Sequence, residues 1–141
     1  MKIRILSLSL LIVCFLQSHA QNYLLQNKSF IVNKLVQEHA KFRTGQNNYG
    51  IQYIDVDETN RGIVSHKAYY FNTNEICIEY DIITEELLYY QEILNTLNTS
   101  QNYTRLAQYE WSNYDNSAKI IARIDQAQDG APVYVIKYTV K

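Results

Sequence analysis

Residues 66–83 read HKAYYFNTNEICIEYDII, and this stretch decides the fold because it has the pattern of two strands joined by a turn. Apolar and polar residues alternate on both sides of Asn72-Thr73-Asn74, a tripeptide of turn-forming residues. Successive strand side chains point to opposite faces. One face then carries Ile76, Ile78, Tyr80 and Ile82, and the other carries Cys77, Glu79 and Asp81. We therefore expect a β-hairpin with Cys77 on its outer, wetter face.

The rest of the chain contains further strand-like segments and two helical patterns. The first helix is predicted over residues 27–43, with Ile31, Val32, Leu35, Val36 and His39 on one stripe. The second is predicted over residues 85–99, with Thr84 as its N-cap and Leu87, Tyr90, Leu94 and Leu97 as its buried stripe. The predicted strands are 51–57, 63–71, 76–83, 103–111, 118–125 and 133–140.

The order of these elements is helix, three strands, helix, three strands. Aligning Leu35 with Ile93 places Tyr53 opposite Trp111, which suggests an α-β-β-β duplication. Hairpins combined with two helices indicate an antiparallel sheet with both helices packed on one face. The expected fold class is therefore α+β, in a single domain over residues 21–141.

The first twenty residues, MKIRILSLSLLIVCFLQSHA, have the layout of a secretory signal peptide. Lys2 and Arg4 precede an apolar run that is shorter than the ~20 residues of a membrane span. Small residues then favour cleavage between Ala20 and Gln21. The alternative is lipidation at Cys14, which Val13 disfavours because a small residue usually stands there. We expect export to the periplasm or the medium, with no membrane span in residues 21–141.

Residues 21–141 carry eleven basic and fourteen acidic side chains, a formal net charge of −3. No basic excess is present to attract nucleic acid or an anionic membrane. Cys77 is the one cysteine left after cleavage, so no internal disulfide can form. A free thiol is the ordinary expectation, and a bridge to another chain is the alternative.

An acidic cluster runs from Asp55 to Glu58 and is a candidate for calcium binding. An EF-hand loop counted from Asp55 would require Gly and Glu at the positions of Asn60 and His66. The match fails, which favours a solvated strand face. Residues 21–141 contain only two histidines, His39 and His66, and no zinc-binding spacing. No metal ligand or cofactor-binding residue is predicted.

Catalytic motifs are also missing from the sequence, which contains no GxSxG nucleophile elbow. A small hydrolase using carboxylates or Cys77 stays open as an alternative, since Cys77 or Glu85 could meet a histidine in the fold. Glu85 and Glu86 are equally explained by the positive end of a helix dipole. No catalytic residue is predicted, and a non-enzymatic protein is favoured.

Tyrosine is the unusual feature, with thirteen residues. It offers a large contact area, few rotatable bonds and a polar tip, but it also has high strand propensity. We predict a binding protein for a protein or other ligand, and this support is lost if Tyr69, Tyr80, Tyr134 and Tyr138 are all buried. The alternative within the binding class is an inhibitor or immunity-type protein of an envelope enzyme.

The sequence also resembles small exported proteins of Bacteroidota-type bacteria. The resemblance rests on Ala20-Gln21 at the signal end, an Ile, Asn and Tyr bias, Tyr70-Phe71-Asn72, Ile76-Cys77, and Tyr80 followed by a helix and Trp111. It covers most of residues 21–141. It implies export, and it supplies no activity, cofactor or site residue.

Overall fold

The computed structural model describes residues 23–141, so the predicted signal peptide over residues 1–20 and the alternative at Cys14 lie outside the described residues. The helices are α1 (Lys28–Gln37) and α2 (Leu87–Thr99). The strands are β1 (Lys41–Gln46), β2 (Gln52–Asn60), β3 (Ile63–Phe71), β4 (Cys77–Thr84), β5 (Tyr103–Ala107), β6 (Glu110–Asn113), β7 (Ala118–Gln126) and β8 (Pro132–Val140).

All eight strands form one antiparallel sheet in the order β1-β2-β3-β4-β8-β7-β6-β5. Each helix is followed by four strands, not three, so the α-β-β-β repeat is wrong. The fold class is corrected as well. About 51% of the described chain is strand and 19% is helical, so the structure fits a β-rich fold and the expected α+β class is wrong.

The two strands missed by the sequence analysis explain the difference. The first helix ends at Gln37 instead of residue 43, because His39 takes a left-handed conformation with φ 54°. Val36, expected in the buried stripe, is 57% exposed. The polar segment after His39 then forms strand β1 against β2. The single strand expected over residues 103–111 is a hairpin of β5 and β6.

Tyrosine rings form the centre of the hydrophobic core. Tyr80 of β4 and Tyr138 of β8 are cross-strand partners, and their rings stack at 4.4 Å with an interplanar angle of 5°. Tyr69 and Tyr23 continue this row, with centroid distances of 5.7 Å from Tyr80 to Tyr69 and 5.1 Å from Tyr69 to Tyr23. Tyr69, Tyr80, Tyr134 and Tyr138 are all buried, so the expectation of a tyrosine-lined binding surface built on them is wrong.

Both helices contribute to the same core cluster. The cluster includes Ile31 and Leu35 of α1 and Tyr90 and Leu97 of α2. Helix α2 begins at Leu87, which is 46% exposed although it was expected in the buried stripe. Thr84, expected as the N-cap, is the buried last residue of β4. Its hydroxyl accepts from the Glu86 amide at 3.1 Å.

A β-bulge changes the face to which Cys77 points. Phe71 pairs with Cys77, but Tyr70 pairs with Glu79, so Ile78 is an extra residue in β4. The bulge buries Cys77 completely and leaves Ile78 36% exposed. The expectation that Cys77 lies on the wet face and Ile78 in the core is therefore wrong. Asp81, beyond the bulge, does lie on the face opposite Tyr80 and Ile82.

We predict that Tyr80→Ala lowers the free energy of unfolding by roughly 3–5 kcal/mol, since it removes the central ring of the tyrosine row. Tyr80→Phe should cost no more than about 1 kcal/mol, because the hydroxyl that it removes makes at most one hydrogen bond, to the Tyr138 hydroxyl. Urea unfolding followed by the fluorescence of Trp111 measures both.

Tyr114, which is 83% exposed, provides the control. Tyr114→Ala should stay within about 0.5 kcal/mol of the wild type. Equal losses for Tyr80→Ala and Tyr114→Ala would contradict the central place given to the tyrosine row.

Candidate functional site

The candidate site is the sheet face opposite the core cluster, which we call the free face. The strand registers place on it Tyr53, Asp55 and Asp57 of β2, His66, Ala68 and Tyr70 of β3, Glu79, Asp81 and Ile83 of β4, Val135, Lys137 and Thr139 of β8, and Lys119, Ile121 and Arg123 of β7. The buried residues of both helices belong to the core cluster on the other side. The free face is thus formed by strand residues alternating with those of the core.

Charged groups of opposite sign pair across this face. Lys137 Nζ lies 2.7 Å from Glu79 Oε1. Arg123 Nε lies 2.9 Å from Asp125 Oδ2, at the end of β7. Toward the β1 edge, His66 Nδ1 donates to Asp57 Oδ1 at 2.9 Å, and Asp55 Oδ1 lies 3.5 Å from the other ring nitrogen. Partly exposed pairs of this kind add little stability. The arrangement of their charges on the face has more effect on the recognition of a partner than on stability.

Asp81 is the exception to this pairing. Its side chain is only 8% exposed, and its Oδ1 atom has no hydrogen-bond partner within residues 23–141. Lys137 Nζ is 4.0 Å away and is already held by Glu79. Burial raises the pKa of Asp81 to about 6, although the positive charge of Lys137 acts in the opposite direction. A buried carboxylate with so weak a counter-ion is a costly feature of the isolated chain.

Two half-buried tyrosines stand beside the charged groups. Tyr53 and Tyr70 are direct cross-strand partners. Tyr53 covers Gly45 of β1 so closely that a Cβ atom there would lie 2.5 Å from the Tyr53 hydroxyl oxygen. The pKa of Tyr70 is raised by burial and then by the negative charges of Asp81 and Asp55. Tyr70 therefore presents its ring close to the unpaired carboxylate.

The acidic cluster and His66, considered separately in the sequence, meet on neighbouring strands. The hydrogen bond from His66 lowers the pKa of Asp57. Nevertheless, the described residues contain no group of three or more His, Cys, Asp or Glu side chains that could hold a metal ion. The sequence shows that these residues are present, but it does not show the β2–β3 register that places them side by side.

The residues proposed for hydrolysis are divided by the fold. His66, Glu85 and Glu86 line a cleft of about 490 Å³ at the end of β3 and β4, together with Ile83. Cys77 does not line this cleft. The Cys77 thiol is buried, burial raises its pKa to about 12, and its sulfur lies 3.5 Å from the Glu79 carbonyl oxygen. A cysteine must be a thiolate to act as a nucleophile, so Cys77 is poorly suited to that role.

No protein-family model matches the chain, and no curated protein or solved structure matches it either. The resemblance to exported proteins of Bacteroidota-type bacteria therefore stays a hypothesis. Across residues 23–141, no helix is long and apolar enough to cross a membrane.

We predict that Asp81→Asn stabilises the protein at about pH 7.5 by roughly 3 kcal/mol, since it removes a buried, weakly paired charge and keeps the shape. The folded-state pKa is raised, so the favourable contribution of this group is complete below the unfolded value near 3.9. That contribution is lost as the pH rises through about 6. The gain from Asp81→Asn should accordingly vanish near pH ~4.

Urea unfolding at both pH values measures this difference. Asp125→Asn is the matched control, because Asp125 is half-exposed and paired with Arg123. It should change the free energy of unfolding little at either pH. A less stable Asp81→Asn variant at about pH 7.5 would show that the carboxylate is well paired, contrary to the site described above.

Proposed function

We propose that this chain is a non-enzymatic binding protein that holds another protein against the free face. We also propose that it acts outside the cytoplasm after removal of residues 1–20. The observation that carries the binding proposal is the buried carboxylate of Asp81 at the centre of the sheet. Its Oδ1 atom has no hydrogen-bond partner among residues 23–141, and Lys137 Nζ lies 4.0 Å from it. A buried polar atom without a hydrogen-bond partner calls for an explanation, and a donor supplied by a binding partner is the one we propose.

The size of the free face supports a macromolecular partner. Eight strands spaced about 4.8 Å apart and up to nine residues long span an area on the order of 900 Å². A standard protein interface takes about 800 Å² from each partner. Half-buried Tyr53 and Tyr70 offer the rigid, amphipathic rings that interfaces favour, within a rim of charged pairs. An inhibitor of an envelope enzyme would be one protein of this class.

The hydrolase remains the weaker proposal. The cleft that joins Glu85 and Glu86 to His66 is the observation in its favour. Against it, His66 is already engaged by Asp57 and Asp55 on the neighbouring strand. The carboxylates at positions 85 and 86 also stand at the start of α2, where the helix dipole accounts for them.

The test is affinity capture with tagged residues 21–141, applied to envelope and culture-medium fractions of the native host and read by mass spectrometry. We expect one protein in stoichiometric amounts with the wild type. Tyr70→Arg, which places a long charged side chain on the free face, should weaken capture at least about tenfold. Circular dichroism confirms that each variant is folded.

Gln91→Arg, at an exposed position of α2, is the matched control and should capture the partner as the wild type does. The absence of any stoichiometric partner would contradict the proposal and direct attention to the cleft. Capture that Tyr70→Arg leaves intact would show that the partner binds elsewhere.

A further inference from the structure

The charge balance around Asp81 identifies the chemistry that its partner should have. Two cations are near enough to act on this carboxylate, Lys137 and Arg123. Each has a closer carboxylate of its own, since Lys137 is 2.7 Å from Glu79 and Arg123 is 2.9 Å from Asp125. Among the described residues, these three carboxylates thus share two cations, and Asp81 has only the more distant half of a shared lysine, at 4.0 Å.

Asp81 and Ala68 are both buried, so an incoming group must displace a longer side chain to reach the carboxylate. The cross-strand neighbour of Asp81 on β3 is Ala68, whose side chain ends at Cβ, and on β8 it is Lys137. Tyr70 follows Ala68 along β3 on the same face, so it is diagonal to Asp81, whose negative charge raises the Tyr70 pKa. A position bounded by a carboxylate and an aromatic ring suits a cation, which can pair with the first and stack on the second.

From this geometry we propose that the free face recognises a partner protein through one arginine or lysine side chain, which pairs with Asp81 between Tyr70 and Lys137. The inference rests on the proposed binding function and specifies its partner. Arginine fits best, because its planar guanidinium can lie on a tyrosine ring while its N–H groups donate to a carboxylate. The side chain of Lys137 is 25% exposed and flexible, so its methylene groups can move aside while its ammonium group keeps the contact with Glu79.

A neutral donor is a weaker candidate than a cation. Asp81 is flanked by Glu79 on its own strand, and Asp55 lies one strand beyond Ala68 on β2. On β3, the ring nitrogens of His66 lie 3.5 Å from Asp55 Oδ1 and 2.9 Å from Asp57 Oδ1. The centre of the face therefore stays electronegative, and a positively charged group gains from the whole row as well as from the direct pair.

The test uses acetyl-arginine amide as the probe and acetyl-citrulline amide, which has the same shape without the charge, as its control. Both are titrated into ¹⁵N-labelled residues 21–141 at about pH 7.5, where Asp81 is ionised, and followed by amide chemical shifts. We expect saturable shifts centred on Ala68, Asp81 and Lys137 with the arginine probe. Binding of the citrulline probe should be at least about tenfold weaker.

Asp81→Asn should weaken binding of the arginine probe by at least about tenfold. Asp125→Asn removes the same charge at the margin of the face, and it should bind the probe as the wild type does. Shifts that are absent, scattered, equal for both probes or undiminished in Asp81→Asn would overturn the inference. The cation inference can fail while the proposed function stands. A partner whose capture is lost in Tyr70→Arg and kept in Asp81→Asn would support binding on the free face and reject the cation.

Discussion

The pairing of β4 with β8 is the interaction on which the rest of the structure depends. Each group of four strands would end in an exposed edge if it stood alone, and unpaired edges are prone to uncontrolled association. The ladder from Glu79–Thr139 to Thr84–Tyr134 joins these two edges. It also brings Tyr80 and Tyr138 into a parallel stack at the middle of the core. One row of strand contacts therefore joins the two groups of strands and brings together the rings at the centre of the core.

The same ladder has a consequence on the other side of the sheet. Because side chains alternate, the residues that follow Tyr80 and precede Tyr138 must point to the free face. Those residues are Asp81 and Lys137, directly opposite one another. Their pairing is incomplete because Lys137 is drawn to Glu79. The stability of the core thus holds a strained carboxylate in place, and this is the physical basis of both functional proposals.

The sequence predicted the local elements better than their assembly. Predicted strands 63–71, 118–125 and 133–140 lie close to β3, β7 and β8, because their alternation of apolar and polar residues is strong. Strand β1 has almost no apolar residues, and its membership in the sheet depends on pairing with β2. The bulge at Ile78 reverses the face of Cys77, and a single bulged residue leaves no signal in periodicity.

The candidate site was less accessible to sequence reasoning. Alternation did place Asp81 on a polar face, and the tyrosine count suggested that binding was the function. However, the weak pairing of Asp81 depends on which groups β8 and β7 bring opposite to it, far along the chain. The thirteen tyrosines were an unsafe guide because strand propensity and core filling account for the buried rows.

Native-state hydrogen exchange tests most directly whether β4 and β8 join the two groups of strands into one cooperative unit. We expect that amides in the β4–β8 ladder exchange most slowly, through global unfolding only, with the same free energy in both strands. The edge strands β1 and β5 should exchange through smaller openings. Amides of β4 and β8 that exchange as fast as those at the edges, or two groups of strands with separate unfolding free energies, would contradict it.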